Sequence, residues 1–174
     1  MKKVQYKENL SAREKDTLYD ILNCQCELME YIECNIESWL LNSSNTYLDI
    51  YTNIINKYCN YRDIYCEISL FSPNTVIDSL HHLINKNINS DILGALTSDG
   101  IWQYKSPNNI YTFFMKISLL NLDSPLLVIM QSNLLLNSDY IVLIELINYL
   151  EINIDNQYYI QLLSNINSNS SPKP

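Results

Sequence analysis

The segment Asp63-Ile-Tyr-Cys-Glu-Ile-Ser-Leu-Phe71 marks a change in the hydrophobic period of this 174-residue chain. Before it, apolar residues recur at the three- and four-residue spacing of one helix face. Within it, apolar and polar residues alternate, which places them on opposite faces of an extended strand. The apolar set is Ile64, Cys66, Ile68 and Leu70, and the intervening set is Tyr65, Glu67 and Ser69. This change of period predicts a mixed α+β fold.

The residues before the segment predict an N-terminal helical extension, residues 1–62. Ser11 and Glu14 have the spacing of a capping box, in which each side chain accepts a hydrogen bond from the other residue's backbone N–H. An apolar stripe follows from Leu18 to Leu40 and predicts a first long helix. After a polar break at residues 42–45, a similar stripe predicts a second helix from about Thr46 to Tyr61.

The residues after the segment predict a sheet flanked by helices. Ser72-Pro73 is typical of a helix start, because proline is tolerated in the first helical turn. Ser98-Asp99-Gly100 is typical of a hairpin turn. Strand patterns occupy Ile92 to Thr97, Ile101 to Tyr104, Ile110 to Leu120 and Leu126 to Ser132, although the third of these also fits a helix.

A last helix is expected from Asp139 to about Ile166, followed by a disordered tail, residues 167–174. With the strand at residues 63–71, these patterns predict an α+β domain over residues 63–166. Its sheet is expected to be antiparallel, with about five strands flanked by helices.

The overall charge and composition argue against several classes of partner. The net charge is −8 and the sequence pI about 4.6, which disfavours binding to nucleic acid or to anionic lipid. No apolar run has the length of a membrane span, so membrane insertion is not expected.

Five cysteines without a secretory signal predict free thiols in a reducing compartment: the cytoplasm, an organelle stroma or a host cytoplasm. Heavy use of Asn, Ile and Tyr is typical of an AT-rich genome.

Motifs for catalysis or for cofactor binding are not evident in the sequence. The chain has only two glycines, so it has no glycine-rich loop to hold a phosphate group. Cys24 and Cys26 point about 200° apart on a helix and cannot share a metal ion. A Cys66/His81 nucleophile pair is conceivable, but no third residue is evident to orient it. We therefore expect no metal, no cofactor and no enzyme activity.

The end of the chain resembles a GAF-type sensory domain. The resemblance covers roughly Asp63 to Leu163. It is carried by Ser124-Pro-Leu-Leu-Val-Ile-Met-Gln-Ser132, a polar loop, and Ser138-Asp-Tyr-Ile-Val-Leu-Ile-Glu-Leu-Ile-Asn-Tyr-Leu150. This resemblance implies a helix packed across an antiparallel sheet. Separately, the hairpin from Leu93 to Trp102 is similar to the first hairpin of roadblock and longin domains. The cysteine that holds a bilin in some GAF domains has no counterpart, since no cysteine follows Cys66.

Aromatic and apolar residues on the helices give the leading functional hypothesis. Tyr and Trp are enriched at protein interfaces, and the last helix carries apolar residues on more than one face. We expect a non-catalytic regulatory or protein-binding domain that acts through helix contacts, including self-association. The interface candidates are Trp39, Tyr140, Tyr149, Ile152 and Tyr158.

Two alternatives remain open alongside the Cys66/His81 enzyme. One is a ligand-sensing GAF-type domain, with a small molecule between the sheet and a helix and a lining that includes Trp102, Phe113 and Met115. The other is an all-helical host-interaction protein of viral type, which requires the strand predictions to be wrong.

Overall fold

The computed structural model describes residues 10–84 and 100–170, which contain four helices and four strands in the order α-α-β-α-β-β-β-α. The helices are α1 (Ala12–Leu41), α2 (Tyr47–Tyr61), α3 (Pro73–Leu83) and α4 (Asn137–Ser170). The strands are β1 (Tyr65–Leu70), β2 (Ile101–Lys105), β3 (Tyr111–Ile117) and β4 (Leu126–Ser132).

Side-chain caps determine where the first three helices begin. The Ser11 hydroxyl accepts the Glu14 backbone N–H at 3.1 Å, which is one half of the predicted capping box. Thr46 and Asp49 form a complete capping box at the start of α2. Ser72 caps α3, with Pro73 in its first turn as the sequence predicts. Each cap satisfies a backbone donor that has no partner within its helix.

The four strands form an antiparallel sheet in the order β1-β4-β3-β2. The α+β prediction is therefore confirmed, and the sheet contradicts the all-helical alternative. The segment from Ile110 to Leu120 is a strand over Tyr111–Ile117, not a helix. Four strands are described where about five are expected. The expected strand Ile92 to Thr97 and most of its turn lie outside the described residues.

The two faces of the sheet are covered by different helices. On one face, Phe113, Met115 and Ile117 of β3 pack into a large core with α1, α2 and α4. On the other, Phe114 packs with Leu127, Ile129 and the α3 residues Val76 and Leu80. The alternation of side chains along each strand produces this three-layer arrangement, with the sheet in the middle.

Helices α1 and α2 belong to the same hydrophobic core as the sheet. Ile21 and Ile32 of α1 and Ile54 of α2 are fully buried in the cluster that contains Val128 of β4. The expected boundary between residues 62 and 63 therefore runs through one continuous core. The change of period at that point marks a change of secondary structure and not a gap between packed units.

Helix α4 runs parallel to α1 and antiparallel to α2. The Gln25 and Tyr149 side chains place α1 alongside α4, through hydrogen bonds to Glu145 and Glu33 respectively. Helix α4 continues to Ser170, so the expectation of a tail that begins at residue 167 is wrong for residues 167–170. A helix that is already nucleated extends by one backbone hydrogen bond per residue and needs no core contact to do so.

Candidate functional site

Two buried carboxylates lie where α2 meets α4, and neither is among the site residues predicted from the sequence. At one end of α2, Asp139 accepts hydrogen bonds from the Tyr58 hydroxyl at 2.6 Å and the Leu136 backbone N–H at 2.9 Å. The Arg62 guanidinium also contacts both of its oxygens, at 2.8 and 3.2 Å. Burial, together with the Asp139 charge, raises the pKa of the Tyr58 hydroxyl above its ordinary value.

The second carboxylate, Glu151, lies at the other end of α2. One of its oxygens accepts from the Tyr51 hydroxyl and from the Leu120 backbone N–H, both at 3.1 Å. The Asn121 amide in turn donates to the Tyr51 oxygen at 3.2 Å. Burial raises the pKa of Tyr51, and Glu151 adds to the effect.

These two networks fix the position of α4. Asp139 is fully buried and Glu151 nearly so, and each carboxylate is held by donors from α2 and from the loops beside α4. Because α2 is held near both of its ends, α4 leaves the domain in a defined direction. The sequence signal for the two networks is that Asp139 and Glu151 each place an acidic residue on the otherwise apolar face of α4.

The cysteines and histidines do not combine into a reactive group. All five cysteines are free, and burial raises the pKa of Cys24 to about 12. A hydrogen bond with Cys66, together with burial, raises the pKa of Cys59 far above its ordinary value. Cys66 packs with the large core on one face of the sheet, whereas His81 lies on α3, which covers the opposite face. The Cys66/His81 pair is therefore not brought together.

Metal ligands do not cluster in the part of the chain that the structure describes. There, no three His, Cys, Asp or Glu residues lie close enough to hold one ion. The only two imidazoles are adjacent on α3, and His82 Nε2 lies 3.6 Å from the Glu67 carboxylate at the surface. Within the same residues, no helix combines the length and the hydrophobicity needed to cross a membrane.

The three residues expected to line a ligand pocket lie on different faces of the sheet. Trp102 pairs with Phe114, stacks on Tyr104 at 5.7 Å and lies on the α3 side. Phe113 and Met115 are buried on the opposite side, in the large core. Trp102 cannot line one cavity together with them.

The interface candidates divide into two groups. Trp39, Tyr140 and Tyr149 are half-buried and contact the domain itself: Trp39 packs on Tyr31 at 5.2 Å, and Tyr149 donates to Glu33. Ile152 and Tyr158 are 56% and 64% exposed. The second group is the more exposed one: Ile152 lies near the middle of α4 and Tyr158 in its second half.

The last part of α4 projects beyond the domain. Ile154 is its last core residue, at 3% exposure. We call the residues that follow, 155–170, the α4 overhang; at 1.5 Å per residue it is about 24 Å long. Its large apolar residues are all exposed: Tyr158, Tyr159, Ile160, Leu162, Leu163 and Ile166.

The exposed apolar residues are arranged in a regular stripe. Ile152, Tyr159 and Ile166 recur every seven residues, with Leu162 and Leu163 between the last two. This is the spacing of a helix face that packs against another helix. We call these five residues the seam. It points away from the core, because Leu150 and Ile154, two positions on either side of Ile152, are buried.

Beyond Asp155, the overhang is free of charged residues. From Asn156 to Ser170 the polar residues are Asn, Gln and Ser, in a chain that carries 30 charged side chains in all (11 basic and 19 acidic). The end of this stretch lacks a core pattern, which is why the sequence predicts a tail there. The signal that could have identified the seam was the seven-residue spacing from Ile152 to Ile166.

Comparison of the chain with protein-family models, with curated proteins and with solved structures gave no match. The likeness to GAF and roadblock domains therefore stays an expectation from sequence. The function has to be argued from the surfaces described above.

Proposed function

We propose that this chain is a non-catalytic protein-binding domain whose binding element is the α4 overhang. The observation that carries the proposal is the exposed seam on a helix that leaves the core after Ile154. Burial of apolar surface contributes about 25 cal/mol per Å², so a helix that presents such a stripe to water gains free energy by packing against a partner.

The rest of the domain supports this role because it holds the first part of α4 in a fixed position. The Asp139 and Glu151 networks hold α4 against α2, and hydrogen bonds from Gln25 and Tyr149 hold it against α1. These contacts fix the part of α4 that precedes the overhang, so the direction of the overhang is set before association, which lowers the entropic penalty. The partner surface is expected to be an apolar helix or groove, because the overhang carries no charged residue after Asp155.

Site-specific photo-crosslinking tests the proposal. A photoreactive phenylalanine analogue replaces Leu163 in the seam, and in a matched control it replaces Tyr19, which is 68% exposed on α1. In cells that make the protein, we expect discrete protein adducts from position 163 and none from position 19. Equal labelling from both positions, or no adduct from position 163, would contradict a binding role for the overhang.

A further inference from the structure

The chemistry of the seam identifies its partner, and this inference rests on the function proposed above. We propose that the α4 overhang pairs with the overhang of a second copy of this chain, in antiparallel orientation, with a two-fold axis beside Tyr159. The product is a closed dimer in which each copy uses the same surface.

Charge is the first argument for a second copy. Two copies with a net charge of −8 each repel one another wherever their acidic surfaces meet. Residues 156–170 carry no charge, so two overhangs can approach without that repulsion. A basic partner protein would have no acidic group to pair with along most of the overhang.

The spacing of the seam is the second argument. Ile152 and Ile166 are each seven residues from Tyr159, on either side of it. Antiparallel pairing about Tyr159 therefore brings Ile152 of one copy opposite Ile166 of the other, twice, and the two Tyr159 rings meet at the axis. An apolar residue then faces an apolar residue at each of these levels, as in a helical seam.

Asp155 determines the orientation. It follows Ile152 by three residues and precedes Tyr159 by four, so it lies on the same face as the seam. In a parallel pair the Asp155 of one chain would face the Asp155 of the other, and the two carboxylates would repel one another across the interface. In the antiparallel pair Asp155 lies opposite Leu163, since each is four residues from Tyr159, and the two carboxylates are separated.

Two substitutions of Leu163 distinguish the orientations. With residue 163 opposite Asp155 of the other copy, Leu163→Lys creates two attractive pairs in the dimer and Leu163→Glu two repulsive ones. We expect sedimentation equilibrium to give a dimer dissociation constant at least about tenfold larger for L163E than for L163K. Equal constants for the two variants would overturn the antiparallel pairing, because in a parallel pair residue 163 faces residue 163 and both changes repel.

Disulfide trapping provides an independent measurement. In a background with the exposed thiols replaced (Cys26→Ser and Cys34→Ser), chains that carry Ile152→Cys are mixed with chains that carry Ile166→Cys. Mild oxidation by oxidised glutathione should yield mostly the mixed 152–166 dimer. Predominant 152–152 and 166–166 dimers would overturn the proposed orientation.

The outcome also separates this inference from the proposed function. A purified protein that stays monomeric at every concentration, while position 163 still crosslinks to a different protein in cells, would overturn the second copy and leave the binding role standing. If position 163 gives no adduct and the protein is a monomer, both proposals fail.

Discussion

Asp139 shows how one buried residue determines the position of an element. Its two oxygens receive donors from α2 and from the residue that precedes α4, and one of those donors is the charged Arg62. The Arg62 side chain is 8% exposed and that of Asp139 0%, so both charges are shielded from water. Removal of one member leaves the other buried without a counter-charge, which costs more free energy than the pair itself contributes.

Asp139→Asn is therefore expected to destabilise the protein by about 3–5 kcal/mol, measured by urea unfolding at neutral pH. The new amide keeps one acceptor oxygen but turns its NH₂ group toward donors, and Arg62 loses its counter-charge. Glu151→Gln is the matched control. Its donors, the Tyr51 hydroxyl and the Leu120 N–H, are uncharged and share one oxygen that the amide retains.

The control substitution should cost only about 1 kcal/mol, because no charge is left without a partner. If Glu151→Gln costs as much as Asp139→Asn, the charge on Arg62 does not account for the effect and the interpretation of the Asp139 network is wrong.

At the scale of the elements, α4 consists of two parts that differ in burial. From Val142 to Ile154 it contributes a continuous set of core residues, whereas after Ile154 its large apolar side chains are exposed and Gln157 is half-buried. Among the described residues, none after Ile154 belongs to the hydrophobic core, so the stability of the domain should depend little on the second part.

Truncation after Asp155 is expected to leave the free energy of unfolding of the dilute monomer unchanged within about 0.5 kcal/mol. Far-ultraviolet circular dichroism should show a loss of helix, because the missing residues are helical. The control is a truncation after Asn148, which removes the buried residues Leu150 and Ile154 and should unfold the protein. A clear loss of stability on truncation after Asp155 would show that the overhang packs on the domain.

The sequence predicted individual elements better than their arrangement. The strand near Ile64 to Leu70, the cap at Ser11 and the start at Pro73 follow from local periodicity and turn chemistry, and all are present. The expected pocket was wrong because the pairing register, which places Trp102 opposite Phe114 and not Phe113, is determined by the turn between β2 and β3. A shift of one residue reverses the face of every side chain in a strand.

The candidate site was predicted only in part, for a similar reason. Ile152 and Tyr158 were singled out as apolar residues beyond one helix face, but periodicity alone cannot tell which apolar residues a neighbouring element will cover. Helix α1 lies alongside the face near Glu145 and Tyr149. Which apolar residues of α4 stay exposed depends on how its neighbours pack against it, and only the folded arrangement determines that.

For the whole molecule, the buried hydroxyls and thiols predict a loss of stability at alkaline pH. Burial raises the pKa of Tyr51, Tyr58 and Cys24, and hydrogen bonding to Cys66 with burial raises that of Cys59. In the unfolded chain these groups ionise near their ordinary values of 9.0 for thiols and 10.0 for tyrosines. The unfolded state then binds fewer protons than the folded state, so stability must fall as the pH rises past those values.

We expect the free energy of unfolding to be nearly constant between pH 7 and 8 and to decrease progressively from about pH 9 to 11. Tyr58→Phe removes one of the ionising groups, so its stability should fall less steeply above pH 10 than that of the wild type, although it is less stable at neutral pH. Tyr19→Phe, at an exposed position on α1, is the control and should keep the wild-type slope. The free energy of unfolding of all three proteins is measured with urea at each pH. If it falls with the same slope for all three, the Tyr58 hydroxyl ionises as readily in the folded as in the unfolded chain. That result would contradict its hydrogen bond with a buried carboxylate.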